Sequence, residues 1–421
     1  WRRAGAGLLL AAWAVCGPAA AQQGTVAFES HGSGRETVPE AGVSQVAATG
    51  GHSCALRANG TIKCWGYGRY GQLGLGDQLN RGDGPGEMSD NLPTVDLGTG
   101  ATAVQVTVGG LTTCALLDDG TVKCWGYNMD GQLGQGHQLT RGDGPGEMGD
   151  ALPVVDLGTG RTATQVAAGL SAHTCALLDN GTVKCWGLNT FGQLGLGNMI
   201  DRGDQLGEMG DNLPPVDLGT GRTATQITLG LDHTCALLDD GTVQCWGRNE
   251  RGQLGQGHTL NRGDGPGEMG DNLPPVNLGT GRTATQITAG RDHTCALLDD
   301  GTVKCWGYND FGQLGLGNRA YRGDGLGEMG DALPAVNLGT GRTATRISTG
   351  ADHTCALLDD NSVKCWGKNE RGELGLGDTA RRGDEPGEMG NSLPAVQLGA
   401  GLAAAHVSTS CVLLDNGTVK C

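Results

Sequence analysis

Aromatic side chains are scarce in this sequence, and basic residues are in the minority. Phe, Tyr and Trp make up 4% of the 421 residues, whereas 79 residues are glycine. The 29 basic residues face 45 acidic ones, which gives a net charge of −16. So few large apolar side chains argue against one large core. The acidity argues against a nucleic-acid partner, which would need a basic face.

Long apolar runs and enzyme motifs are also missing. One apolar run, residues 4–16, follows Arg2 and Arg3 and precedes the small residues 19–21. This is the pattern of a secretory signal peptide, so residues 1–21 are predicted to direct export and to be removed. The run is too short for a membrane span, and none is predicted. The chain has no P-loop, HExxH or GxSxG motif, so we expect neither catalysis nor an organic cofactor.

The cysteines reveal an internal repeat. Fourteen of the fifteen form pairs ten residues apart, and the pairs recur about every 60 residues. The pairs are Cys54/Cys64, Cys114/Cys124, Cys175/Cys185, Cys235/Cys245, Cys295/Cys305, Cys355/Cys365 and Cys411/Cys421. We therefore predict a short N-terminal segment over residues 22–41 and a single repeat array over residues 42–421, with six full units and a partial seventh.

Each cysteine pair predicts a β-hairpin. In HTCALLDDGTVKCWG, residues 293–307, short runs of strand-forming residues flank Asp-Asp-Gly. Pairing Cys295 with Cys305 places Leu298 opposite Thr302 and leaves a three-residue loop that ends in glycine. The cysteines then form a non-hydrogen-bonded pair with Cα atoms about 4.5 Å apart, so a cross-strand disulfide is geometrically available.

Zinc binding and free thiols are the alternatives to disulfides. A histidine precedes the first cysteine by two residues in five units, at His52, His173, His233, His293 and His353. Zinc sites favour closer ligand pairs such as CxxC, whereas an even number of cysteines in an exported chain favours disulfides. We predict disulfides, and we expect each histidine to form a hydrogen bond within its own repeat.

The segment HTCALLDDGTVKCWGYNDFGQLGLGN, residues 293–318, resembles the repeat of the regulator of chromosome condensation (RCC1) family. The resemblance extends over residues 42–421 and implies an all-β fold, a seven-bladed β-propeller whose ring is usually closed by strands from both chain ends. It also implies tryptophans between the blades, at Trp65, Trp125, Trp186, Trp246, Trp306 and Trp366. The seventh unit ends at Cys421; either residues 24–49 complete it, with residues 25–28 as a candidate strand, or the chain is a fragment.

An acidic insert follows each of the first six hairpins. It reads RGDGPGEMGDNLP at residues 262–274, and the six copies carry most of the net charge. Because blades repeat one geometry, we expect the inserts to emerge on one face as an acidic crown that attracts basic partners. The carboxylates proposed for this binding face are Asp83, Glu87, Asp90, Asp143, Glu147, Asp150, Asp204, Glu208, Asp211, Asp324, Glu328 and Asp331.

Calcium is a candidate ligand of the inserts. Asp264, Glu268 and Asp271, with their equivalents in other units, offer the carboxylate oxygens that calcium prefers. The spacing does not match an EF-hand loop. A structural role in turns and a protein-binding surface are the alternatives.

Two classes of function remain. The first is a secreted, non-catalytic scaffold whose propeller loops bind a protein or an extracellular polymer. The second, implied by the resemblance alone, is guanine-nucleotide exchange on a small GTPase, the founding activity of the family. Exchange requires a reducing compartment, where paired cysteines stay reduced. The sequence therefore favours the binding scaffold, although the fold alone does not determine function.

Overall fold

The computed structural model describes residues 42–49, 51–408 and 411–420, which form seven three-stranded antiparallel sheets, one per repeat. The predicted signal peptide and residues 22–41 lie outside these ranges. The strands of the seven blades are β1 (Val43–Ala48), β2 (His52–Arg57), β3 (Ile62–Gly66); β4 (Ala103–Val108), β5 (Thr112–Leu117), β6 (Val122–Gly126); β7 (Ala163–Ala168), β8 (His173–Leu178), β9 (Val183–Gly187); β10 (Ala224–Leu229), β11 (His233–Leu238), β12 (Val243–Gly247); β13 (Ala284–Ala289), β14 (His293–Leu298), β15 (Val303–Gly307); β16 (Ala344–Thr349), β17 (His353–Leu358), β18 (Val363–Gly367); and β19 (Ala404–Val407), β20 (Val412–Leu414), β21 (Val419–Lys420). Short 3-10 helices lie at Ser89–Asn91, Gly149–Ala151, Gly210–Asn212, Gly270–Asn272, Gly330–Ala332 and Gly390–Ser392.

The hairpin predicted from each cysteine pair is confirmed. Cys295 of β14 lies opposite Cys305 of β15, and the N–H of Leu298 donates to the carbonyl of Thr302 at 2.8 Å. Gly301 closes the turn with φ of +77°, in the left-handed region that favours glycine. The local signal of a closing pair and a turn glycine is therefore enough to fix the register.

Seven inner strands surround a central channel, and glutamine side chains join most of them. Residues of all seven inner strands line a cavity of about 270 Å³. In the fourth blade, Gln226 Nε2 donates to the carbonyl of Ile287 at 3.1 Å, and the Ile287 N–H donates to Gln226 Oε1 at 2.9 Å. We call this paired contact the amide clamp. It is repeated by Gln45, Gln105, Gln165 and Gln286.

The ring has two faces. The hairpin face carries the turns between the second and third strand of each blade, such as residues 299–301. The loop face carries the segments that follow each Trp-Gly, such as residues 308–311. Equivalent contacts join residues 61 or 62 apart around the ring, so every blade has the same orientation.

The first and seventh blades meet by packing. Val46 and Ala48 of β1 share an apolar cluster with Leu413 of β20 and Val419 of β21. The inner strand β1 pairs with β2 and thus belongs to the first blade. Of the residues 24–49 that could complete the seventh blade, 43–48 therefore belong to the first blade, and closure of the ring by both chain ends stays a prediction. The candidate strand at residues 25–28 lies outside the described residues.

Apolar clusters fill the interfaces between blades, and a tryptophan belongs to or packs against six of the seven described clusters. Trp306 is 0% exposed and lies in a cluster with Cys235 and Leu237 of the preceding blade. Its Nε1–H donates to the Gln253 carbonyl at 3.0 Å. Trp125, Trp186, Trp246 and Trp366 repeat this arrangement, and Trp65 is half-buried at the junction of the first and seventh blades. The prediction that these tryptophans pack between blades is confirmed.

Candidate functional site

Six of the seven predicted cysteine pairs form disulfides across the hairpins. Their Cα atoms are 4.1 Å apart. They are Cys54–Cys64, Cys114–Cys124, Cys175–Cys185, Cys235–Cys245, Cys295–Cys305 and Cys355–Cys365. The pair Cys411/Cys421 includes a residue outside the described ranges. Because the sulfur atoms lie inside the apolar clusters between blades, the bridges are part of the ring's core.

Four of the five histidines that precede the cysteines bond to the next blade, which corrects for them the expectation of a bond within the same repeat. His233 Nε2 lies 3.0 Å from Thr294 Oγ1 of the following blade. That hydroxyl donates its hydrogen to the Gln253 carbonyl at 2.9 Å. The histidine must therefore be the donor, protonated on Nε2. The middle strands of adjacent blades lie side by side at this level, a proximity that a single repeat does not reveal.

The same arrangement holds three further histidines in the neutral form. His52, His173 and His293 bond to Thr113, Thr234 and Thr354. Burial lowers the pKa of His173, His233 and His293 to about 3 and that of His52 to about 4. A protonated imidazole in this environment would be a buried charge without a counter-ion, so these groups connect blades and do not act as acid–base catalysts near neutral pH.

The inserts follow the outer edge of each blade, so the predicted crown on one face is wrong. At the loop face, the Gly247 N–H donates to the Arg262 carbonyl at 2.8 Å. At the other end of β12, the Val276 N–H donates to the Val243 carbonyl at 2.7 Å. The insert between these contacts runs antiparallel to β12 and covers its edge. The physical reason is connectivity, because the chain must return to the hairpin face before the next inner strand begins.

This path separates the three candidate calcium ligands. Glu268 Oε2 accepts the N–H groups of Gly263 and Gly265 at 3.0 and 2.9 Å, next to Asp264 on the loop-face side. Burial and the nearby Glu268 raise the pKa of Asp264. Asp271 lies towards the hairpin face and accepts the N–H and hydroxyl of Thr220 at 2.9 and 2.7 Å. In the described part of the chain, no three Asp, Glu, His or Cys side chains are grouped to hold a metal.

Most carboxylates assigned to the binding face have structural partners. Glu87, Glu147, Glu208 and Glu328 accept N–H groups of their own inserts. Asp150, Asp211 and Asp331 bind a threonine of the preceding unit. Asp143 and Asp204 accept from Gln78 and Gln138 of the preceding unit. The remaining three carboxylates are Asp83 and Asp90, which are exposed, and Asp324, which is half-exposed. The inserts therefore hold adjacent units together, and their free surface is smaller than expected.

The loop face carries the surface features that differ between blades. Every Tyr and Phe in the described ranges lies there and is half-buried, namely Tyr67, Tyr70, Tyr127, Phe191, Tyr308, Phe311 and Tyr321. Six of them form two groups, and Phe191 contacts Arg248 instead. The first is Tyr70 against Tyr67 and Tyr127, with ring centroids 6.1 and 5.3 Å apart. The second is Tyr308 against Phe311 and Tyr321, at 6.0 and 5.3 Å.

Arginines cover the second aromatic group. Arg251 lies 5.7 Å from the Tyr308 centroid and 5.6 Å from that of Tyr321. Arg381 lies 4.7 Å from the Phe311 centroid. Arg291 forms an ion pair with Asp352, with 2.8 Å between nitrogen and oxygen. Burial raises the pKa of nearby Asp232 to about 6, against the opposing effect of Arg248. Cations stacked on aromatic rings and paired with carboxylates give this face an ordered, mixed-charge surface.

The comparisons with known proteins agree with this architecture. The RCC1-like domain description matches residues 68–421, and the RCC1 repeat description matches residues 43–72. The chain belongs to the RCC1-repeat family. The Arabidopsis thaliana ultraviolet-B receptor UVR8 is 29% identical over 394 residues, covering 82% of this chain and 81% of UVR8.

Two solved structures show the same RCC1 fold. Human WBSCR16 is 22% identical, with a TM-score of 0.63 over 87% of this chain and 84% of that one. Saccharomyces cerevisiae Prp20p, whose structure was described with its binding to Gsp1p and histones, is 21% identical, with a TM-score of 0.63 over 89% and 81%. At these identities the likeness establishes the seven-bladed RCC1 architecture alone.

Sequence reasoning missed the loop-face residues of this RCC1 propeller. The available signal was variation inside the repeat, because the residues after Trp-Gly differ between units whose framework is nearly constant. A membrane-crossing helix is not found among the residues that the structure describes.

Proposed function

We propose that this RCC1 propeller is an exported, non-catalytic scaffold that binds another protein through its loop face. The observation that carries the proposal is the gathering of all described Tyr and Phe residues on that face. Aromatic residues and arginine are the side chains enriched at protein interfaces and among their strongest contributors. The remaining surface repeats from blade to blade, so the loop face is the part of the ring that offers a distinctive pattern.

Export is supported by two independent features. The apolar segment after Arg2 and Arg3 has the pattern of a signal peptide. The six disulfides belong to an oxidising compartment, since cytosolic thiols are kept reduced. A thiol assay on natively purified, denatured protein tests this proposal. We expect almost no free sulfhydryl, and about fourteen would remove the argument for export.

The acidic inserts support attraction of a basic partner. They encircle the ring at its outer edge and carry most of the charge of −16. A field of one sign raises the association rate of oppositely charged partners and weakens with salt. The loop face would then provide the specific contacts, and the inserts would provide long-range attraction.

A pull-down from culture medium, with chemical crosslinking, tests the binding face. The loop-face variant is Tyr308→Ala with Phe311→Ala, and the matched hairpin-face control is Arg282→Ala with Arg342→Ala. We expect the loop-face variant to lose the protein partner and the control to retain it. Retention by both, or loss only in the control, would contradict the proposal. A captured polysaccharide in place of a protein would also contradict it.

Guanine-nucleotide exchange is the alternative, favoured by the fold shared with Prp20p. The disulfides argue against nucleotide exchange, because exchange on an intracellular GTPase takes place in a compartment where disulfides are rare. Release of labelled GDP from purified small GTPases, measured with and without the propeller, separates the two functions. Acceleration of release that depends on the loop face would establish exchange in place of the scaffold function.

A further inference from the structure

The amide clamp is interrupted at one place in the ring. At the clamp position the sixth inner strand carries Arg346 and the seventh carries His406, where the first five carry glutamine. A guanidinium has donors but no acceptor, so Arg346 cannot accept the N–H of Val407 as Gln286 Oε1 accepts that of Ile347 at 2.9 Å. The channel wall between the sixth and seventh blades is therefore chemically different from the rest.

Four residues that can donate hydrogen bonds line the channel between the sixth and seventh blades. Side chains two residues apart on a strand share a face, which places Ser348 beside Arg346 and Ser408 beside His406. All four residues line the channel cavity. Arg346 lies close enough to His406 to lower the pKa of the imidazole, after the larger effect of burial. The corresponding positions of other inner strands carry glutamine with alanine or threonine.

The charge of Arg346 is uncompensated within the channel. Among the described residues that line the cavity, Arg346 is the one Asp, Glu, Lys or Arg. Its guanidinium makes no hydrogen bond or ion pair to any residue that the structure describes. His406 Nδ1 is buried and has no hydrogen-bond partner in the described ranges. Arg346 is exposed to the solvent of the channel, and a positive group there, in a protein of net charge −16, can attract an anion.

We propose that Arg346, Ser348, His406 and Ser408 form a binding site for a small oxyanion, a carboxylate, sulfate or phosphate group, in the channel wall between the sixth and seventh blades. The planar guanidinium fork matches two oxygens of such an anion, and the hydroxyls and imidazole offer further donors. The cavity of about 270 Å³ has room for the ion, since one water occupies about 30 Å³. The site lies inside the ring and does not depend on the loop-face proposal.

Calorimetric titration of the full chain tests the site. Sodium sulfate, sodium phosphate and sodium succinate are added in separate arms at constant ionic strength set by chloride, so that the preferred oxyanion class is identified. Arg346→Gln installs the residue of the first five blades and is expected to weaken binding at least tenfold. The same variant should raise the thermal midpoint, because the introduced glutamine completes a sixth amide clamp to Val407.

Arg222→Gln is the matched control, since it removes the same charge from the outer surface, where Arg222 pairs with Asp239 and Asp240. We expect the control to bind like the unaltered chain and Ser348→Ala to bind several-fold more weakly. Absence of binding heat in all three arms would overturn the proposal. Unchanged affinity in Arg346→Gln would overturn it too, as would an equal loss in Arg222→Gln, which would show a net-charge effect.

Discussion

Acidification provides a quantitative test of the contacts between blades. His52, His173, His233 and His293 are fully buried and neutral, with pKa values of about 3 to 4 in the folded chain against an ordinary value of 6.5. Because the folded pKa lies below the unfolded one, the stabilisation is complete above pH 6.5 and is lost as the pH falls below it.

The expected effect is large. From pH 7.5 to pH 5, protonation of each unfolded histidine costs about 2 kcal/mol of folding free energy, or about 8 kcal/mol for the four. Asp232 acts in the opposite direction, because its pKa of about 6 is raised above the ordinary 3.8. The folded chain therefore binds this proton at a higher pH than the unfolded chain does. This difference adds about 1 kcal/mol of folding stability at pH 5. The net loss of about 7 kcal/mol compares with a total stability of about 5–15 kcal/mol for ordinary domains.

Urea denaturation followed by tryptophan fluorescence, at several pH values between 7.5 and 5 with disulfides intact, measures this loss. The variant His233→Thr has at this position the residue that the second blade has at Thr112. It should reduce the pH dependence of the unfolding free energy by about 1.4 kcal/mol per pH unit. Thr112→His is the reciprocal variant. The introduced imidazole would face the hydroxyl of Thr174. The second blade also has a glycine, Gly109, at the end of its inner strand.

Thr112→His should make the pH dependence steeper by the same amount. The corresponding glycine of the fourth blade, Gly230, leaves room for the imidazole, since a Cβ there would meet His233 Cε1 at 2.1 Å. A urea midpoint that stays constant from pH 7.5 to pH 5 would refute the reasoning. So would a His233→Thr variant whose stability runs parallel to that of the unaltered chain.

Three further predictions concern the repeated contacts, and each is read from the urea midpoint. Replacing Cys295 and Cys305 by alanine opens a loop of about 11 residues and should cost about 2.7 kcal/mol, whereas an unchanged midpoint would show that the bridge adds nothing. Gln226→Leu removes one amide clamp and should cost about 2 kcal/mol; a gain in stability would contradict the clamp. Asp271→Ala should cost about 1–2 kcal/mol, while Asp271→Asn should be nearly neutral, because the sixth unit uses Asn391 in the same contact. Equal losses in the two variants would argue against this contact.

Local features of the fold were predictable from the sequence. The register of β14 and β15 follows from Cys295, Cys305 and the turn glycine, since a hairpin is determined by residues near one another in the chain. The RCC1 resemblance then supplied the number of blades and the position of the tryptophans. The register and the position of the tryptophan rest on information that a single repeat contains, whereas the number of blades rests on the family resemblance and on the whole repeat array.

Contacts between repeats were not predictable in the same way. The bond from His233 to Thr294 joins residues 61 apart, and no pattern within one unit indicates which neighbour the imidazole meets. The path of the insert along β12 was missed because acidic, glycine-rich sequence was interpreted as a free surface loop. In the structure, its carboxylates bind backbone N–H groups and a threonine, which also explains why Asp264 and Asp271 are apart.

Each described sheet is formed by one continuous stretch of chain, and six of the seven sheets carry their own described disulfide. Unequal recombination between two copies of the 60-residue unit would therefore add or remove a whole blade without dividing any sheet or leaving a cysteine unpaired. A gene of this kind can change its blade number by tandem duplication, and the nearly identical units of the present ring are what recent duplication of such a unit would produce.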